Sequence, residues 1–316
     1  MGGTLIQTRW YHTAALIGCL LLLLPLDATA REGSAGRAGA FLRMGLGARA
    51  RAMGNAQVAA VQDGLGAYYN PAALADLDGQ FVNLSKMFLS LDRTFNVAGY
   101  ARPIPPTAGL SLMWINAGVG NIDERDLNGQ KIGNIDYSEN AFYLSFANRV
   151  SPWVSLGVSV KLLTQQLYEL SAKGFGLDLG VLVTPLDNLQ IGLVVQDIRS
   201  GYNWNSDDIY ERGSAIENRF PVTLRGGVAW RLPKYSTLLA VDVDKQTSGD
   251  VELHVGAEHI IMHRLALRAG LDGGDLAGGF GVVFPIAGLE SRIDYSLAND
   301  DNDPELSQIL SWVIRF

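Results

Sequence analysis

The residues able to do chemistry are few and scattered. Beyond His12, the histidines are His254, His259 and His263, in one short stretch. Alternate residues of an extended strand face opposite sides, so His254 and His259 cannot aim at one ligand from the same strand. Rim or lumen positions suit them better than a metal or catalytic site. The acidic run NDDNDPE, Asn299 to Glu305, carries oxygen ligands at alternating positions, which makes calcium conceivable. It lacks the glycine and closing glutamate of an EF-hand loop, and a solvated loop is the other reading. GLGARARAMG, Gly45 to Gly54, is glycine-rich, but no strand precedes it as a nucleotide-binding turn requires. No serine, histidine and acid can be placed on one face. The expectation is therefore a non-enzyme with no catalytic residues, no metal and no cofactor.

A different kind of signal lies in GLGAYYNPAALADLDG, Gly64 to Gly79. Asn70 is a good helix N-cap, because its side-chain oxygen can accept from an unpaired amide of the first turn. Pro71 suits the first helical position, where its missing N–H costs nothing. Ala72, Ala73, Leu74 and Ala75 continue the helix and Gly79 can end it. This capped turn precedes a long region that reads almost wholly as strand.

The 316 residues are 48% hydrophobic and 18% charged, with a formal net charge of −7. That acidity, without any Lys/Arg-rich run, argues against nucleic acid as a partner. Residues 1–30 read as a secretory signal. Arg9 supplies a modest n-region, Ala14 to Leu26 an apolar core too short to span a bilayer, and Asp27 to Ala30 small residues for cleavage. A lipoprotein signal ending at Cys19 fits less well, because the apolar run continues past it. Cys19 is the sole cysteine, so the exported chain carries neither disulfides nor thiol chemistry.

Residues 31–79 are rich in Ala, Gly and Arg, with helical fragments such as ARARAMGNAQVAAVQ. From residue 80 the pattern turns to period two, as in FGLDLGVLV, VTLRGGVAW and SRIDYSL. Strands are expected near 80–88, 93–102, 108–118, 139–149, 153–168, 173–184, 188–201, 219–232, 236–245, 250–260, 264–272, 276–284, 289–298 and 306–316. That makes fourteen. Their connections alternate between short, mostly proline-bearing turns and more polar loops, two of them long (119–138 and about 202–218). Short turns at one end and longer loops at the other describe an outer-membrane barrel.

With the apolar face outward, Lys161, Asp178, Arg225, Asp242, Asp244, Glu252, Glu258, Arg268, Arg292 and Asp294 face inward. Charges of both signs in such number do not suit a dry sandwich core. In a wet, partly plugged lumen they can pair with one another, and with Arg37, Arg43, Arg49 and Arg51 of the N-terminal segment. Trp114 and Trp204 are expected at the long-loop end, and Trp153, Trp230 and Trp312 at the short-turn end, as two interfacial girdles. The fold class expected is all-β: a 14-stranded antiparallel transmembrane barrel (80–316) with a small, partly helical N-terminal plug (31–79). A secreted soluble sandwich or propeller is the alternative, and the continuous apolar face speaks against it.

Two stretches carry a resemblance. The chain ends ILSWVIRF, with Leu310, Trp312, Ile314 and Phe316 on one face, which resembles the signal read by the barrel-assembly machinery. The run from Gly45 to Leu77 resembles the N-terminal hatch of the FadL-like outer-membrane superfamily, more closely its PorV/PorQ branch. There a Gly-Ala-Arg-Ala-x-x-Met-Gly segment (here Gly47 to Gly54) precedes a Tyr-x-Asn-Pro-Ala turn (here Tyr68 to Ala72). The resemblance implies that Asn70, Pro71 and Ala72 form the turn of the plug. It also implies a place in the outer membrane of a Gram-negative-type bacterium, among its lipids. Two functions follow from it. One is a transport barrel passing small hydrophobic molecules, plugged and opening sideways to the membrane. The other is a PorV-like interaction barrel that holds secreted cargo or partners for type IX secretion.

Overall fold

The computed structural model describes residues 37–205, 215–247, 249–299 and 306–316. The expected leader, 1–30, and residues 300–305 of the acidic loop lie outside them. The first half of the wall is β1 (Phe81–Phe88), β2 (Arg93–Ile104), β3 (Ala108–Arg125), β4 (Lys131–Ser151), β5 (Val154–Leu167), β6 (Leu170–Leu186) and β7 (Leu189–Ile198). A short pair follows, β8 (Gly201–Asn205) and β9 (Ala215–Arg219). The second half is β10 (Thr223–Leu232), β11 (Thr237–Gln246), β12 (Val251–Ile261), β13 (Leu265–Asp272), β14 (Asp275–Ile286), β15 (Leu289–Ala298) and β16 (Ser307–Arg315).

Leaving β8 and β9 aside, fourteen strands close into an antiparallel ring. β10 pairs with β7, β5 with β6, and β1 with β16 from Phe81↔Arg315 to Phe88↔Gln308. Closure is what lipid demands, since an unpaired strand edge has no water to satisfy it there. Period two then sorts the side chains. Leu112, Phe142, Leu144, Phe146, Leu162, Leu179, Leu193 and Phe280 are exposed on the outside. Lys161, Asp178, Arg225, Asp242, Asp244, Glu258, Arg268 and Asp294 are buried inside, and Glu252 and Arg292 are half-buried. This is the face pattern of a transmembrane barrel. Among the described residues, no helix is long and apolar enough to cross a membrane.

Several expectations are corrected. Most of 119–138 is strand, because β3 and β4 continue as a ladder to Arg125↔Lys131 with an irregularity between Val119 and Ile122. Only 126–130 turns. There Asp126 accepts the backbone N–H groups of Gln130 (2.8 Å) and Asn128 (2.9 Å). Those bonds, Gln130's foremost, hold its carboxyl below the ordinary carboxylate range. The composition is polar because this arm has water on both faces, and polarity had suggested a loop. The 202–218 loop likewise holds the β8/β9 pair. Trp114 sits on the outer face of β3, six positions from its start at Ala108 and five from Val119, where the arm begins. Its Nε1 donates to Asn140 Oδ1 at 3.0 Å, which fixes it there.

Inside the ring run a 3₁₀ turn (Ala40–Arg43), α1 (Ala48–Ala52), α2 (Gly66–Tyr69) and a second 3₁₀ turn (Pro71–Asp76). Helix is thus shorter than ARARAMGNAQVAAVQ suggested, and the turn after Asn70 is 3₁₀, ending at Leu77 rather than Gly79. Local bonding gives way to contacts with the wall. Gly109 and Gly157 of the wall show how close these are: a Cβ on Gly109 would overlap the Leu74 carbonyl, and one on Gly157 the Pro71–Ala72 peptide. Alanines on one side and glycines on the other let two backbones meet.

Candidate functional site

Asn70 lies where the inner segment meets β6, and it is fully buried. Its Oδ1 accepts the Ala72 N–H at 3.0 Å, and its Nδ2 donates to Val58 O (2.8 Å) and Val181 O (3.1 Å). One side chain therefore caps a turn, ties two parts of the inner segment and reaches the wall. Pro71 takes the first position of the turn, and Ala72 is fully buried behind it.

Around the segment run three charged groupings. In the first, Arg49 grips Glu258 with two bonds, Nε to Oε2 at 3.0 Å and Nη2 to Oε1 at 3.1 Å. Arg268 Nε also donates to Glu258 (2.6 Å), and its Nη1 donates to Asp294 (2.8 Å). Arg292 then bridges Asp294 (2.7 Å) to Asp63 of the inner segment (3.1 Å). The chain starts and ends on the inner segment and alternates in sign throughout, so each buried charge has opposite neighbours. In the second grouping Arg51 and Asn55 both donate to Asp272, whose other oxygen faces His254 Nδ1 at 2.8 Å. The third joins wall residues only: Lys161 bonds Asp178 at 2.7 Å and Asp197 at 2.5 Å.

Bonds from neutral donors complete the seat. Val58 N–H donates to Asp242 (2.8 Å), Ala48 N–H to Ser311 (2.8 Å), and Gln196 to the Tyr68 carbonyl (2.6 Å). Of the arginines expected to pair with lumen acids, Arg49 and Arg51 do so. Arg43 donates to Ala38 O instead. Asp63, Asp197 and Asp272 were missed by sequence reasoning. Asp197 falls on the outward register of β7, but its φ of 63° and the irregular pairing beside it turn it inward. Period two alone could not reveal that.

What space remains is polar. A chamber of about 60 Å³ lies between inner segment and wall, bordered by Arg43, Tyr69, Lys161, Arg225, Gln246 and His254 among others. It has room for a few waters. Toward the long-loop end a cleft of about 710 Å³ opens, walled by Tyr137, Glu139, Trp204 and Phe220. Near it the wall is irregular. β6 pairs with β7 up to Leu177↔Ile198 and with β8 at Lys173↔Asn203, and Gly174–Gly176 between them have no partner on that side among the described residues. At the seam, Leu310, Trp312 and Phe316 are exposed on the outer face and Ile314 is half-exposed beside them.

No family model and no curated protein matches the sequence. Solved structures do share its fold. The toluene transporter TodX of Pseudomonas putida is 13% identical with a TM-score of 0.61, over 86% of this chain and 96% of that one. The toluene transporter TbuX of Ralstonia pickettii is 13% identical (0.59; 86% and 97%). A FadL homologue of Pseudomonas aeruginosa is 11% identical (0.58; 85% and 97%). The chain is thus an outer-membrane β-barrel with the FadL-like fold.

Proposed function

We propose that the protein is a transport barrel for small hydrophobic molecules, plugged by its N-terminal segment and opening sideways to the membrane. The carrying observation is the contrast between lumen and wall. Below the outer cleft the axis is filled by the inner segment and its buried charges, a path on which an apolar solute would displace paired ions. Beside the aromatic cleft, however, the ladder of β6 is interrupted at Gly174–Gly176. A solute taken up against Trp204 and Phe220 would leave sideways there once Ser200 and Gly201, which pack against Gly176 and Gly174, move aside.

Engineered cysteines test this route. A Cβ on Gly176 would lie 3.0 Å from Ser200 Cβ, near the separation a disulfide needs after slight relaxation. Gly176→Cys with Ser200→Cys should oxidise and pin the interruption. Uptake of a labelled monoaromatic hydrocarbon should then fall, and recover with reductant. Undiminished uptake in the oxidised form would refute the sideways route.

A second reading has one observation in its favour. The β3–β4 arm carries Ile122, Leu127 and Ile132 exposed on an otherwise polar extension, which suits a protein partner. With the resemblance of Gly47 to Gly54 and Tyr68 to Ala72 to the PorV/PorQ branch, it supports an interaction barrel holding cargo for type IX secretion. Loss of a secreted protein from the cell surface on deleting the arm, with hydrocarbon uptake unchanged, would favour this second reading.

A further inference from the structure

We propose that the lumen holds a binding site for one divalent transition-metal cation of the zinc type, formed by Asp244 and Gln246 of β11 with Glu252 and His254 of β12. Ligand atoms of Asp244, Glu252 and His254 all lie within 4.8 Å of one another. The hairpin register produces this, since Asp244 stands opposite Glu252 and Asp242 opposite His254. Zinc bonds of about 2.0–2.2 Å set ligands about 3.3 Å apart, within reach of small side-chain movements. Imidazole nitrogen with carboxylate oxygens is a donor set suited to zinc rather than to calcium or magnesium.

The surroundings of His254 point the same way. Its Nδ1 faces two acceptors, Asp272 Oδ1 at 2.8 Å and the Gly54 carbonyl at 3.2 Å. Both ring nitrogens therefore donate in this structure, Nε2 to Asp244 Oδ1 at 2.7 Å; a metal would take the place of the Nε2 proton while Asp272 keeps hold of the ring through Nδ1. Asp272 is itself held by Arg51 and Asn55. A carboxylate that orients a histidine through its other nitrogen is the arrangement found behind metal-bound histidines. A second, independent sign is Gln246. It is more than nine-tenths buried, it borders the same chamber as Asp244, Glu252 and His254, and its Oε1 has no hydrogen-bond partner among the described residues. An amide oxygen left without a donor suits a cation. Because His254 also touches Gly54 and Asp272, a bound metal would stiffen the wall where the inner segment is anchored.

The test uses the full exported chain, purified in detergent without a polyhistidine tag and stripped with chelator. Titration with zinc should show one site per chain, and cobalt should give the visible absorption of a four-coordinate nitrogen–oxygen site. His254→Gln and Glu252→Gln should each weaken zinc binding at least tenfold and abolish the cobalt band, while His259→Ala, on the outer face, should change neither. Folding of each variant is checked by the difference in gel migration before and after boiling. If wild type binds no zinc and shows no cobalt band, the proposal is overturned, whatever the variants do. Binding lost in His259→Ala but kept in His254→Gln would overturn it too, by locating the metal on the surface.

Discussion

Replacing Asn70 by Ala removes three hydrogen bonds at a fully buried position: from Ala72 N–H, to Val58 O and to Val181 O. A net contribution of about 0.5–1.5 kcal/mol for each bond gives roughly 3 kcal/mol in total. The cap alone accounts for about 0.5–2 kcal/mol of it. Every 1.4 kcal/mol is tenfold in an equilibrium, so the Pro71–Asp76 turn should open about a hundredfold more often. The barrel should still assemble, because its ladders do not pass through Asn70. A thiol at position 73, Ala73→Cys, reports the opening directly, since Ala73 is buried in the turn. Its alkylation rate, in the regime where closing outpaces labelling, follows the open population. A rise below about threefold in the Asn70→Ala background would refute the reasoning, and so would loss of the assembled barrel. Permeability then separates the two functional readings. In a transport barrel the loosened plug should admit a bulky hydrophobic dye faster, and in an interaction barrel dye entry should stay unchanged.

Glu258→Gln leaves Arg49 and Arg268 facing a neutral amide in a buried site; breaking a buried pair in this way costs about 3–5 kcal/mol, read as a lower temperature at which the unboiled gel band disappears. Gly157→Ala should push the Pro71–Ala72 turn off the wall and raise alkylation at Ala73→Cys, whereas Gly226→Ala, whose nearest neighbour would be Leu193 Cδ1 at 3.8 Å, should leave it unchanged. Phe316→Ser should lower the yield of assembled barrel without blocking export, measured as a shift from the heat-modifiable form to periplasmic precursor.

Much of the wall was legible because lipid and lumen impose opposite demands on alternate residues. Glu258 and Arg268 were both read as inward, and they stand opposite each other in the ladder. The arm at 119–138 was not legible, because above the membrane both faces meet water and the alternation of polarity disappears. Nor was the break at Asp197–Ser200, where positive φ at Asp197 and Arg199 overrides the period. The capping role of Asn70 followed from its neighbours in sequence, but its bond to Val181 depends on which strand lies across the lumen. The histidines show the same limit. Facing considerations rightly separated His254 from His259, yet the carboxylates beside His254 come from the register of a hairpin, which alternation leaves undetermined.

The partners of the inner segment impose an order on assembly. Ala48 reaches Ser311, 263 positions on, and Arg49 reaches Glu258, 209 positions on. The first part of this segment to leave the ribosome therefore waits for some of the last strands before its arginines find their acids. Contacts so distant along the chain are slow to form. A nascent chain cut short before β12 would keep Arg49 and Arg51 but lack Glu258 and Asp272. Its N-terminal segment would have no ionic seat, and a truncated product would stay exposed to proteases at that segment. In effect, residues near the start of the chain register whether its end has arrived.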